Sequence, residues 1–357
     1  MEDLPIDMEY LLELLYRLLI TPSPTGLTDR VVEMVCQELD QLEIPYGLTR
    51  RGAIRAVLPG LCEVPNRAIV AHLDTLGCQV LSLKDNGRLG LVPVGFWSAR
   101  FAEGARVTVH TSLGGAHTLR GTILPLKASG HVFGPEVDTQ PVSWDNLELR
   151  LDAEVYTREA LQTQLGLHVG DHVSVDSAPE FVPNGFLNAR HLDDKAGCAA
   201  LLAAAKAIKE SRVVLPMEVY LLFTISEEVG VGASHILHGN AGELLSVDNG
   251  AMAPGQNTCP MGVTVAMADS TGPFDWHLTR QILGICQEFQ LNHSRDIFRH
   301  YRSDAAAAVE AGNDLRTALI CFALDASHGW ERTHRDSLET MARLLALYMQ
   351  SPPTRAL

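Results

Sequence analysis

No stretch of this chain offers a run of lysine and arginine, an eighteen-residue apolar segment, or two cysteines in C-x-x-C spacing. Each absence closes off a class of function. Without a basic run, a formal net charge of −15 leaves a field that repels phosphate backbones and anionic lipid, so neither nucleic acid nor a membrane surface is an expected partner. Without a long apolar run there is no candidate membrane-spanning helix. The opening MEDLPIDMEYLLELLYRLL carries acids where a secretory leader carries basic residues, and no signal peptide is expected. The seven cysteines, at 36, 62, 78, 198, 259, 286 and 321, are odd in number and scattered, which suggests neither a disulfide framework nor a zinc ribbon. A reducing compartment, the cytoplasm, is the expected location. Internal repeats and low-complexity tracts are missing too. What remains is a 357-residue chain with 46% hydrophobic residues, enough for one large domain or two ordinary ones with a real core.

The pattern along the chain divides it. Apolar residues at helical spacing run from Met8 to Leu19 and stop at TPSPTG, and a second helix is expected from Thr28 or Asp29 to about Leu42, ahead of Pro45. GAIRAVLPG and RAIVAHLD read as strands, the second apolar enough to be covered on both faces. Between about Leu76 and Gly185 the texture becomes short β-rich pieces, such as GLVPVGFW, ARVTVHT, GTILPL and DHVSVDS. An α/β rhythm then resumes with helix AGCAALLAAAKAIKES, strand MEVYLLFTIS, a helix near 233–239, strands ELLSVD and GVTVAMAD, helix FDWHLTRQILGICQEF, strand TALICFAL and a closing helix DSLETMARLLALYMQ. The expectation is an α/β catalytic domain of residues 1–75 and 187–357, interrupted by a small all-β domain of residues 76–186.

In open α/β sheets ligands bind beyond the carboxyl ends of the strands. His72 and Asp74 follow RAIVA, Asp193 and Asp194 precede the Ala-rich helix, Glu227 and Glu228 follow YLLFTIS, Asp248 follows ELLSV, and His328 and His334 lie beyond the last strand. Singly, each has an ordinary reading. An aspartate pair can cap a helix, adjacent glutamates can be a solvated pair, Asp248 before Asn-Gly can be a turn residue, and the histidines can be surface residues. Together they collect at one edge of the predicted sheet, where unrelated surface residues would scatter.

Imidazoles and carboxylates without thiolate are the donor set of a catalytic zinc site, with cobalt or manganese as substitutes. A pair of divalent ions needs a carboxylate to bridge them, and one further carboxylate must stay unligated to take a proton from the attacking water. The adjacent glutamates supply that division, and Asp74 is placed to hold the His72 imidazole. Metal-assisted hydrolysis of an amide is the chemistry expected.

AHLDT, LDDKAG, SEEVG, the aspartate of SVD and a late histidine before a helix, with a β insertion after the first motif, resemble the metallopeptidases that include tetrahedral, glutamyl and deblocking aminopeptidases. The resemblance implies a zinc-exopeptidase-like α/β/α catalytic domain with a barrel-like insertion that covers the active site and makes dimer contacts. It implies two divalent metal ions per chain, one held by His72, Asp193 and Asp248, the other by Asp193, Glu228 and His334, with Glu227 as general base and Asp74 holding the His72 imidazole. Asp194 would support the loop or cap the helix. His334 is preferred to His328 because it lies three residues before LETMARLLALYM. Short peptides are the implied substrates and a dimer-based homo-oligomer, up to a dodecamer, the implied assembly. The variant loop LDASHGWERTH also resembles a bacterial subgroup whose genes accompany synthesis of the osmoprotectant N-acetylglutaminylglutamine amide. A deacylase or amidohydrolase of small blocked peptides is the alternative enzyme, and a non-catalytic scaffold, for which a ligand or the base should be missing, is the third reading.

Overall fold

Strand Asn66–His72 is buried at every position, which a strand achieves only with both faces and both edges of its sheet covered. It lies between strands Val219–Thr224 and Ala241–Ala251, parallel to both, and strand Arg316–Leu324 continues the parallel set beyond Ala241–Ala251. Antiparallel strands extend this sheet at either side: Ile54–Leu58 and Tyr46–Leu48 beyond Val219–Thr224, and Val263–Asp269 beyond Arg316–Leu324. The computed structural model describes residues 1–63, 65–111, 118–237 and 240–354.

The Ala-rich helix Leu192–Ser211 is almost wholly buried. It packs on strands Asn66–His72 and Ala241–Ala251 and lies against helices Met8–Ile20 and Arg335–Gln350. Alanine suits that place because its small side chain lets helix and sheet approach closely while keeping the best intrinsic helix propensity. Six antiparallel strands between Gly77 and Val175 close into a barrel in the order Gly77–Leu83, Leu89–Val94, Leu147–Leu151, Thr118–Pro125, Arg106–His110, His172–Val175. The barrel has its own apolar core, with Val80, Leu91, Val107, Val109, Ile123 and Leu149 buried together. The expected α/β fold with a small β-barrel is thus what the chain forms.

Three elements depart from the expected pattern. The helix expected near 233–239 is a single 3-10 turn, Gly232–His235, and residues 238–239 of that expectation lie outside the described residues. Strand His293–Ile297, which runs parallel to Val263–Asp269, was not foreseen, because its sequence HSRDI has polar residues at four of five positions and lacks the alternation that marks a half-buried strand. A three-stranded sheet of Glu180–Phe181, Phe186–Ala189 and Glu331–His334 also went unread, since strands of two to four residues are too short to show a period.

At the amino end of the central strand, away from His72, Arg67 is fully buried. Its guanidinium pairs with Glu243 at 3.0 Å, stacks 3.9 Å from the Tyr348 ring centroid and donates to the carbonyls of Tyr348, Ser351 and Pro352. Glu243 also accepts from the Tyr348 hydroxyl at 2.8 Å and from the Thr354 amide. Burial raises the Glu243 carboxyl, but the Arg67 charge and these hydrogen bonds outweigh it and hold the group below its ordinary value. A carboxylate depressed on folding contributes stability that is present above its unfolded pKa and lost as pH falls through the folded one. Glu243→Gln is therefore expected to cost about 3 kcal/mol near neutrality and to flatten the acid limb of the stability curve, both read by denaturant titration across pH.

Candidate active site

The parallel strands bring their carboxyl ends to one edge, and the chemistry collects there. His72 closes its strand opposite Thr224, and the chain after Thr224 carries Glu227 and Glu228. Asp248 lies inside its strand, which runs on to Ala251, so the expected strand end comes slightly later than the sequence suggested. Asp193 stands at the mouth of the Ala-rich helix, where neither it nor Asp194 has helical backbone angles. His328 follows the strand Arg316–Leu324 in a loop, at φ +66°.

Asp193 is the hub. Its Oδ1 is 3.1 Å from His72 Nε2 and its Oδ2 is 3.4 Å from His328 Nε2, so its two oxygens face different imidazoles. Asn249 Nδ2 donates to Asp193 Oδ2 at 2.8 Å and to Asp248 Oδ1 at 3.1 Å. His328 Nε2 is also 3.7 Å from Glu228, and His72 Nε2 is 3.8 Å from Glu227. Ligand atoms of His72, Asp193 and Asp248 lie within 4.8 Å of one another, as do those of Asp193, Glu228 and His328.

The electrostatics of the group follow from crowding acids in a buried place. Burial, with the Asp193 charge, pushes Asp248 up to about 7, and burial opposed by His328 leaves Glu228 at about 8. Glu227 is likewise held well above the usual range, by burial first and then by Asp248, Asp304 and Glu228, against the pull of His72. Burial would lower His328, but its hydrogen bond to Asp193 and the charge of Glu228 bring it to about 10. Asp193 alone stays low: burial acts to raise it, and the hydrogen bonds from His328 and His72 overcome that. A site that raises most of its carboxylates in this way is one short of positive charge, and its oxygen and imidazole donors fit hard to borderline divalent cations.

One expectation is corrected. His334 does not join the cluster; His328 does. His334 is the N-cap of helix Arg335–Gln350, with Nδ1 accepting from the Asp336 amide at 3.2 Å and Nε2 3.1 Å from the Asn184 carbonyl oxygen, so both ring nitrogens are used. Its ring also packs edge-on against Phe186, centroids 4.8 Å apart. The spacing to the helix start, which favoured His334, marked the cap. Asp74 needs a smaller correction. The His72 Nδ1–H donates to the backbone carbonyl of Asp74 at 2.9 Å, with the carboxylate at 3.7 Å. The carboxylate instead accepts the amides of Glu227 at 3.1 Å and Glu228 at 3.3 Å and the Thr25 hydroxyl at 2.7 Å. Asp194 accepts the His72 amide at 3.2 Å and sits over Gly197, where a Cβ would meet Asp194 Oδ1 at 2.1 Å.

Asn249 and Glu331 went unnoticed in the sequence. In SVDNG the turn reading belongs to Asp248 and gives Asn249 no role of its own, and Glu331 lies in GWERTH, which carries no spacing signal. A cavity of about 600 Å³ opens onto the cluster, with Phe96, Phe101, Phe298 and Tyr301 among its walls. Phe96 and Phe101 come from the barrel region.

Fold and site together define a metallopeptidase. Residues 52–344 match the M42 glutamyl aminopeptidase family. The chain is 35% identical over 341 residues to YhfE of Bacillus subtilis (strain 168), an aminopeptidase by name, across 96% of this chain and 97% of that one. This chain belongs to the M42 family and is a peptide-bond hydrolase, an aminopeptidase. Its fold is similar to the TET aminopeptidase from Thaumarchaeota archaeon SCGC AB-539-E09, with a TM-score of 0.85 at 19% identity over 95% of this chain and 96% of that one. It is also similar to the Pyrococcus horikoshii TET1 peptidase, which can assemble into a tetrahedron or a large octahedral shell, with a TM-score of 0.83 at 21% identity over 96% of this chain and all of that one. Among the described residues no helix is long and apolar enough to cross a membrane.

The two histidines separate cleanly by experiment. His328→Ala is expected to lose bound divalent metal, whereas His334→Ala should keep it and lose about 1 kcal/mol of stability with its cap. Elemental analysis and thermal melting of the two variants give the comparison.

Proposed function

We propose that the chain removes N-terminal residues from short peptides at a two-metal centre, one ion held by His72, Asp193 and Asp248 and the other by Asp193, Glu228 and His328, with Asp193 bridging. The observation that carries this reading is Asp193 itself, whose two oxygens face His72 and His328 separately. Zinc is the proposed ion, since the donors are imidazole and carboxylate.

Such a pair of ions, when bound, would supply an acidified water, its pKa lowered from 15.7 toward about 7, and would polarise the scissile carbonyl. The chain's own groups do the rest. Glu227 belongs to neither ligand set and lines the cavity beside both, where its carboxylate takes the water proton and returns it to the departing amine. Asp74 aims it by holding its backbone amide. Phe96, Phe101 and Phe298 give the cavity an apolar wall that keeps bulk water from the reacting carbonyl. The barrel region thus works as a cover, and a homo-oligomer built from dimers is the proposed assembly.

Hydrolysis of an aminoacyl-anilide panel and of the same compounds N-acetylated, before and after chelation, tests the reading. Metal-dependent cleavage of the free amines alone supports it; cleavage confined to the acetylated forms would make the enzyme a deacylase of blocked peptides. Glu227→Gln is expected to lower turnover by roughly 10²–10⁴-fold with both ions retained, and normal turnover in that variant would remove Glu227 from the base role.

A further inference from the structure

Glu331 is 2% exposed, in the short strand Glu331–His334, and belongs to neither ligand set. No ion pair to it is found among the described residues. Its two oxygens are nonetheless both engaged. Oε2 accepts the Asp193 amide at 3.2 Å, and Oε1 accepts the His328 amide at 2.9 Å. Burying a carboxylate without a cationic partner is costly, and here the hydrogen bonds go to the backbones of two site residues far apart in sequence.

We propose that Glu331 is a positioning residue that keeps Asp193 and His328 in register so that one cation can engage both. The inference rests on the two-ion reading above and adds a residue to it. Both residues need such help. Asp193 precedes the regular part of its helix, and His328 sits in a loop in the left-handed region, so neither is aimed by a sheet ladder or a helical turn. The structure uses the same device elsewhere in the site, where the Asp74 carboxylate accepts the amides of Glu227 and Glu228. Two buried carboxylates thus each clamp two amides, and between them they set Asp193, Glu227, Glu228 and His328. His72 and Asp248 lie in strands, whose ladders aim them, and Glu331 touches neither; the His72 amide is held by Asp194 as well.

This arrangement makes the two ions unequal in their dependence on Glu331. Without it, the ion at His72, Asp193 and Asp248 keeps two ligands on strands, while the other keeps only Glu228 on an independently clamped loop. Apo-protein is titrated with Co²⁺, following the visible absorption and the bound metal by elemental analysis, for wild type, Glu331→Ala and Glu331→Gln. Glu331→Ala is expected to bind the first ion as wild type does and the second about 10–100-fold more weakly, with a changed spectrum for the second equivalent only. Glu331→Gln, which keeps one carbonyl acceptor, should fall between them, and it carries the test if the alanine variant fails to fold. Two ions bound at wild-type affinity in both variants would overturn the role of Glu331 while leaving the two-ion reading intact. A parallel weakening of both ions would show a general structural role and also overturn it. Wild type that binds fewer than two ions would overturn the two-ion reading and this inference with it.

Discussion

Everything at the active edge depends on one constraint: several carboxylates must share a buried space around Asp193. Like charges at such distances in a poorly solvated place repel by several kcal/mol, and His72 and His328 answer only part of that. The fold tolerates the arrangement because strong features hold it open from outside. The strands that carry His72 and Asp248 are buried and paired on both sides, and the helix behind Asp193 is packed almost without exposed surface. Strain of this kind persists only where the surroundings determine the geometry more firmly than the site resists it.

The support is largely a matter of backbone amides. Asp74, Asp194, Asp304 and Glu331 are all buried acids, and each accepts at least one main-chain N–H from a segment of the site or beneath it. Asp304 shows how far back this extends, because it takes the Ala233 amide and the Thr224 hydroxyl, both at 2.6 Å, and so ties the glutamate loop to the strand it leaves. Loops carry Glu227, Glu228 and His328, as loops usually carry functional groups, but these are tied at short intervals. Hydrogen bonds to a charged acceptor are the stronger kind, which suits segments that must hold position without a ladder.

How much of this was legible in the sequence follows from where each residue lies. His72, Asp193, Glu227, Glu228 and Asp248 were readable because each follows or borders a strong apolar run, so the hydrophobic pattern located them before any chemistry was considered. The barrel was readable as a change of texture. Beyond Leu324 the pattern stops, and with it the information: LDASHGWERTH contains a turn, a four-residue strand and a helix cap, none long enough to have a period. His328 and His334 were therefore indistinguishable except by distance to the next helix, and that distance reports a cap as readily as a ligand. Glu331 and Asn249 were invisible for a different reason. Each role depends on a hydrogen bond to Asp193, 56 positions from Asn249 and 138 from Glu331, which only the tertiary fold creates.

The two imidazoles also tie the inserted barrel to the site. His72 uses Nδ1–H on the Asp74 carbonyl, leaving Nε2 toward Asp193. His328 repeats the pattern with Nδ1–H on the carbonyl of Phe96 at 2.6 Å and Nε2 toward Asp193 and Glu228. A hydrogen bond at one ring nitrogen fixes the tautomer and frees the other to act as a ligand. For His72 that bond comes from the segment just past its own strand, but for His328 it comes from the loop that follows barrel strand Leu89–Val94. The loop reaches that far only because residue 95 is glycine: its φ is +86°, and a Cβ there would meet Leu76 Cδ2 at 2.5 Å and Glu228 Cβ at 3.4 Å. A barrel that merely covered the cavity would need no such approach. This one engages Nδ1 of a site histidine and so sets its tautomer, and the insertion and the α/β sheet build the candidate site between them.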